Sequence, residues 1–302
     1  MPNTLAHLGV QTLITRTASR DADLKWIALG CIIPDLPWIA RRVVRALDID
    51  VPPYELALYT TVQATLLLSV ILCAALSLVS SKPRSVFLIL STNVLMHLLL
   101  DALQIKWGNG VHLFAPFSWS LTNIGLFWTD SLPTVVLTAF GVAYIGFIST
   151  ARPGKPVTLQ YPEGGRRVLV ALLLLGYVLG PIPMLSGPMA ADNHSLRTLQ
   201  DVEQRPGKAF SFDRNTLKQD ENGSRIVTLV GEELFLQGET IEPGGTISGK
   251  GRFSDTKTIE LESVRVHWPL FRDVASAVGL LVVAAIWFVA IRRQFSTVNH
   301  TP

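Results

Sequence analysis

His97 and Asp101 stand four residues apart in MHLLLDAL, inside a run that otherwise reads as a membrane span over residues 86–103. On a helix that spacing puts both side chains on one face, a turn apart. An ionisable group inside a span costs several kcal/mol unless it is paired, wet or bound to a metal. Imidazole and carboxylate are ligands for zinc, manganese or iron, and a cation offsets their desolvation. The plain alternative is a His–Asp hydrogen bond that packs helices together.

Two more stretches hold chemistry-bearing side chains in apolar surroundings. In GCIIPDLPW, residues 30–38, Pro34 and Pro37 bracket Asp35, so the helix must break there and free backbone carbonyls. A carboxylate at such a break either reaches an ion or water, or simply marks a helix end at the interface. In NTLAHLG, residues 3–9, His7 lies near the start of an apolar helix, where by itself it reads as an interfacial residue.

The elements that must position these groups follow from composition. Hydrophobic residues make up 49% of the 302, charged residues 16%, and mean hydropathy is +0.37, the profile of an integral membrane protein. A net charge of +3, scattered along the chain, excludes a nucleic-acid surface. Cys31 and Cys73 both lie in apolar segments, so no disulfide framework is implied. The N-terminus lacks the basic start and small-residue cleavage site of a signal peptide.

Residues 56–80, 86–103, 132–150, 168–185 and 274–291 are expected to span the bilayer as single helices. Two weaker elements join them: residues 4–18, with Leu5, Leu8, Leu13 and Ile14 as apolar positions, and residues 26–40, broken by the two prolines. The expected fold is a polytopic α-helical membrane protein of six to seven segments carrying a small all-β domain. Its divisions are a helical membrane domain over 1–186, the β-domain over 187–270, and a C-terminal transmembrane helix with a short tail over 271–302. The β-domain shows in short alternating runs such as TKTIELESVRVHW between Gly, Pro, Asn and Asp turns, and an OB-like barrel fits their number and length.

Arg292 and Arg293, the turn Lys82-Pro83-Arg84, and the loop bearing Arg152, Lys155, Arg166 and Arg167 place the C-terminus and those loops in the cytoplasm of an inner (plasma) membrane protein. The β-domain then faces the periplasm or exterior, with residues 104–131 beside it. One loop disagrees: Arg41, Arg42 and Arg45 fall outside, partly offset by Asp48, Asp50 and Glu55. In this topology His7, Asp35, His97 and Asp101 come to the same side at similar depth, with Gln63 about two turns down its own span.

The succession of His7, GCIIPDLPW, and MHLLLDAL leading to a Gly-rich turn and HLFAPFSW resembles the membrane-bound metal-dependent hydrolase family, also described as LexA-binding, inner-membrane-associated hydrolases. The likeness covers roughly residues 1–150. It implies that His7, Asp35, His97 and Asp101 are metal ligands, with Asp35 or Asp101 as ligand or base. Two positions depart from the family pattern. The second Asp of its Pro-Asp-Leu-Asp motif is Pro37 here, and its His-Ser pair is Gln63-Ala64 in YTTVQATLLLS. Gln is a poor ligand beside His and carboxylate and cannot act as a general base. The site is thereby reduced to one metal, or has lost activity.

His112, in WGNGVHLFAPFSW, has two readings. The loop is an interfacial anchor built on Trp107, Trp119 and Trp128, or His112 is a fifth ligand or proton shuttle. His194 and His267 lie in or beside the β-domain, with nothing in the sequence linking them to the site. The expected function is hydrolysis of an ester or phosphoester by a metal-activated water, with zinc the first candidate and manganese or iron behind it. Leaflet depth suggests a lipid or lipid-linked substrate, and the β-domain gates access or recruits an envelope protein. The rival is a catalytically degenerate membrane protein whose β-domain binds that partner. A transporter with a His97–Asp101 proton relay is a third class, unsupported by any internal repeat.

Overall fold

The computed structural model describes residues 3–150, 156–221, 223–238 and 245–298. Helix α1 (Thr4–Ala18) is capped by Asn3, whose side chain accepts from the Ala6 N–H. Its buried face is largely polar: Asn3, Thr4, His7, Gln11, Thr12 and Thr15 are inside, whereas Ile14 points out at 47% exposure. Such an inside-out helix is expected where lipid is the solvent and the interior holds a site. After α2 (Leu24–Gly30) the chain tightens into a 3-10 turn at Ile33–Asp35 and restarts as α3 (Leu36–Ala46), as the two prolines require.

The uninterrupted helix expected over residues 56–80 is instead two, α4 (Pro53–Gln63) and α5 (Leu66–Ser77), bent by 67°. No proline or glycine marks the bend. The Thr60 and Thr61 hydroxyls bond back to the Leu56 and Ala57 carbonyls at 2.7 and 2.9 Å, an arrangement that bends helices. Thr65 then takes the extended backbone (φ −70°, ψ 158°) that opens a new helix.

Helix α6 (Pro83–Ala102) forms the centre of the bundle. It is followed by α7 (Leu132–Thr150), α8 (Gly164–Leu179), the short α9 (Ser186–Ala190) and α10 (Leu196–Gln200), and finally α11 (Phe271–Val298). Among the described residues three helical stretches, Pro83–Ala102, Gly164–Ala190 and Phe271–Ser296, are long and apolar enough to cross a membrane, or four if the bent α4–α5 pair is one span. Glycines bring the site-bearing helices close: a Cβ at Gly9 would sit 2.0 Å from the Gly141 Cα, and one at Gly30 would meet Asn93 and the Leu90 backbone. Small residues of this kind let helices approach backbone to backbone without an aqueous hydrophobic drive.

Strands β1 (Ala209–Asp220), β2 (Gly223–Val227), β3 (Glu233–Gln237), β4 (Thr246–Phe253) and β5 (Thr258–Val266) close a barrel in the order β1-β2-β3-β5-β4. All pairs are antiparallel except β3 with β5. Phe210, Phe212, Ile226, Leu234, Ile247, Phe253 and Ile259 fill it, and Ala57 and Leu58 of α4 join the same core. The fully buried Arg205 closes one end with a two-pronged pair to Glu232, both contacts at 2.7 Å.

The barrel rests on one end of the helices. Arg41 and Arg45 both donate to the Leu229 carbonyl, the latter at 3.1 Å. Tyr54 donates to the Leu199 carbonyl, and Asn109 to Asp213. Two of the three arginines that disagree with the charge rule, Arg41 and Arg45, are therefore engaged in docking the barrel. At the opposite end Arg166 donates to the Ser80 carbonyl and Asp23 accepts from the Val157 N–H. Arg152 and Lys155, used above to orient the chain, lie outside the described residues.

Candidate metal centre

Helix α6 presents His97 and Asp101, and α1 runs antiparallel to it, so that Thr15 meets Asn93 and His7 meets Asp101. The His7 and His97 rings stack with centroids 3.9 Å apart. His7, His97 and Asp101 each offer a ligand atom, all within 4.8 Å of one another, and all three residues are buried. Asp35 joins from the helix break, its Oδ1 3.4 Å from His97 Nε2. His97 Nε2 is also 3.9 Å from Asp101 Oδ2, and His7 Nε2 is 3.3 Å from Asp101 Oδ1.

The proton positions follow from partners. His97 Nδ1 lies 2.6 Å from the Cys31 carbonyl, so it carries the hydrogen and donates. That carbonyl is free because the Asp35 N–H bonds to Ile32 in the 3-10 turn rather than one residue further back. A neutral His97 then aims an Nε2 lone pair at two carboxylates. Neither His97 Nε2 nor Asp35 Oδ1 has a hydrogen-bond partner, although both are buried. Gln11 places its amide nitrogen 3.1 Å from His7 Nδ1, and its own Oε1 is without a partner. With the amide turned over, that oxygen accepts from Nδ1–H and frees His7 Nε2 as a ligand.

Two imidazoles and one carboxylate, His7, His97 and Asp101, with a ring nitrogen oriented through its other nitrogen and Asp35 beside His97, form a group that could hold a metal ion. The buried, unpartnered His97 Nε2 and Asp35 Oδ1 are the atoms that such an ion would satisfy. Lys106 also reaches the cluster, its ammonium 3.4 Å from Asp101 Oδ2.

Gln63 stands elsewhere. Its amide donates to the Tyr59 hydroxyl at 3.1 Å and the Tyr177 carbonyl at 3.4 Å, toward α8 rather than the cluster. Pro37 is in the first turn of α3. His112 lines a cavity of about 40 Å³ together with Asp35, His97, Asp101, Thr61 and His194. Burial pushes His112 down to about 4 and His194 to about 3, the latter helped by His112 and the charges of Arg41 and Lys106.

Four participants were not anticipated from the sequence. Gln11 carried a signal, a polar residue one turn from His7 in an apolar helix. Lys106 did too, as the one basic side chain in residues 104–131. The Cys31 carbonyl follows only from the detailed path of the break. His194 is far away in sequence, and only the fold brings it in. No family model matches the chain, and neither curated proteins nor solved structures gave a match.

Proposed function

We propose that the chain is a membrane-embedded, divalent-metal-dependent hydrolase, with zinc as the preferred ion and a lipid-linked ester or phosphoester as substrate. The supporting observation is His97: tied to a carbonyl through Nδ1, it turns a buried, unpartnered Nε2 toward Asp35 and Asp101. The resemblance of His7, Asp35, His97 and Asp101 to the membrane-bound metal-dependent hydrolases adds to it.

A bound divalent ion supplies Lewis-acid polarisation and a water acidic enough to be deprotonated near neutral pH. The chain's part is to orient and to move protons. Gln11 and the Cys31 carbonyl fix the ring orientations of His7 and His97. Asp101, held between His7 and Lys106, serves as ligand. Asp35, beside His97 Nε2 at 3.4 Å, is either a further ligand or, with Asp101 holding the ion, the base that takes a proton from the attacking water.

We place the protein in the inner membrane with seven membrane segments: α1, the broken α2–α3, the bent α4–α5, α6, α7, α8 and α11. Lys82, Arg84, Arg166, Arg167, Arg292 and Arg293 at the end away from the barrel favour that end as cytoplasmic. The barrel is then extracytoplasmic. We read it as OB-like, on its five-stranded closure with one parallel pair.

One observation favours the catalytically degenerate alternative. Protonated His97 and Lys106 would balance Asp35 and Asp101 without any metal. Elemental analysis of the purified protein separates the two. The hydrolase reading expects near-stoichiometric divalent metal in wild type and none in His97→Ala or Asp101→Ala; a metal-free wild type that takes up none on incubation sinks it.

A further inference from the structure

On the cavity wall facing the cluster, His112 is 6% exposed and neither ring nitrogen has a hydrogen-bond partner. His194 stands next to it, ring centroids 6.3 Å apart, and packs edge-on against Trp38 at 5.7 Å. The segment holding His194 is strained: Asp192, His194 and Ser195 all take left-handed backbone, with φ of 52°, 56° and 55°. It is fixed there by the Asp192 carboxylate, which accepts from the Thr198 N–H and hydroxyl, and by Asn193 donating to the Trp119 carbonyl. His194 also lines a second cavity, of about 80 Å³, in the crevice between barrel and helices. It therefore stands where the crevice meets the cluster's own cavity.

We propose that His112 and His194 are the substrate-binding wall of this site, donating N–H hydrogen bonds to the phosphoryl oxygens of a phosphoester that arrives through the crevice under the barrel. The inference rests on the metal-dependent reading above and narrows its substrate class. Both imidazoles are neutral near pH 7, so each has one N–H to give. Charge decides between a phosphoester and a carboxylic ester. Asp35 and Asp101 set against Lys106 and a divalent ion leave one net positive charge, which attracts an anion and gives nothing to a neutral ester. The cluster's cavity, about 40 Å³, has room for roughly three waters.

The test uses the full chain in detergent or nanodiscs, with metal content and ligand binding measured on the same samples. Inorganic phosphate is one probe; nanodiscs containing phosphatidic acid, against phosphatidylcholine alone, are the other. Metal-loaded wild type is expected to bind at least one of them, free phosphate assigning a soluble ester and phosphatidic acid a lipid headgroup. His112→Ala and His194→Ala should keep their metal and bind that probe about ten-fold more weakly. His112→Gln, which retains a donor, should recover most of the affinity and covers the case in which His112→Ala fails to fold. Metal-loaded wild type that binds neither probe overturns the phosphoester wall while leaving the metal site intact. Unchanged affinity in the alanine variants overturns it as well, and so does loss of metal from them, which would make the histidines ligands. Wild type that holds no metal overturns the hydrolase reading itself.

Discussion

Among the described residues two buried His–Asp clusters stand out, one among the helices and one where the barrel meets them, and they differ in how well their atoms are satisfied. At the junction His267 Nδ1 lies 3.1 Å from Asp130 and Nε2 2.8 Å from the Ser248 hydroxyl, while the Trp268 N–H takes the other Asp130 oxygen at 2.8 Å. Ser248 in turn donates to Asp213 and accepts from the Arg214 N–H. Ser248, His267 and Asp130 are connected in the order of a nucleophilic triad. Yet the hydroxyl is wholly buried and donates to Asp213 rather than to His267, so it is neither reachable by a substrate nor set to give its proton to the histidine. The helical cluster has the opposite character, with His97 Nε2 and Asp35 Oδ1 buried and unpartnered. A closed network fixes structure, whereas unmet buried polar atoms mark a place for a ligand.

The contrast breaks most visibly at the junction. Replacing His267 with Ala leaves Asp130 and Ser248 buried without it and is expected to cost about 3 kcal/mol, the scale of breaking a buried pair. Thermal unfolding should report the loss, and limited proteolysis should show the barrel loosened, with metal content per folded chain unchanged. If metal falls in step with stability, the two clusters are one unit and the distinction fails. The junction also has a pH signature. Burial pushes the Asp130 carboxyl up, but His267, the Trp268 N–H and Arg265 together hold it at about 2. A depressed carboxyl stabilises the fold fully above its unfolded value of about 3.8, and that contribution is lost as the pH falls through about 2. Asp130→Asn should flatten this acid limb of the stability profile.

A smaller effect, on metal alone, belongs to Gln11. Its amide lies 3.1 Å from His7 Nδ1, so Gln11→Leu keeps the packing volume and removes the orienting partner. Metal affinity, measured by competition with a chromogenic chelator, should drop about ten-fold, the lower end of what losing such a partner costs. Unfolding of the metal-free protein should be nearly unchanged. A variant with full affinity would show that His7 is oriented by stacking on His97 instead.

Much of this arrangement was legible in the sequence, for identifiable reasons. The expected helix over residues 4–18 and the break at Pro34 and Pro37 both appear, because a cap and two prolines act locally. His97 and Asp101 share a face because helical spacing demands it. The runs between turn residues form a β-domain, since alternation of period two survives without tertiary context. The bend after Gln63 was hidden, because threonine back-bonding leaves hydropathy untouched. Arg41 and Arg45 count against the expected orientation, and a charge count cannot see the Leu229 carbonyl they reach. His194 was dismissed, because proximity across roughly ninety residues depends on how the barrel seats.

Gln63 gives the finest division between sequence and geometry. By resemblance it occupies a site position; in the structure its amide bonds Tyr59 and the Tyr177 carbonyl, linking α4 to α8. Thr61, near the end of α4, and Ala64, at the bend, line the cavity, and Gln63 between them does not. Gln63→Ala should therefore leave metal stoichiometry and affinity at the wild-type level. It should lower stability by about 1 kcal/mol, for a partly buried amide losing its hydrogen bonds. Gln63→His, which restores the residue type the resemblance expects, should raise neither metal count nor affinity, because the side chain still points at α8. A second equivalent of metal in that variant would mean that α4 can rotate, and that the bend is a movable part of the site.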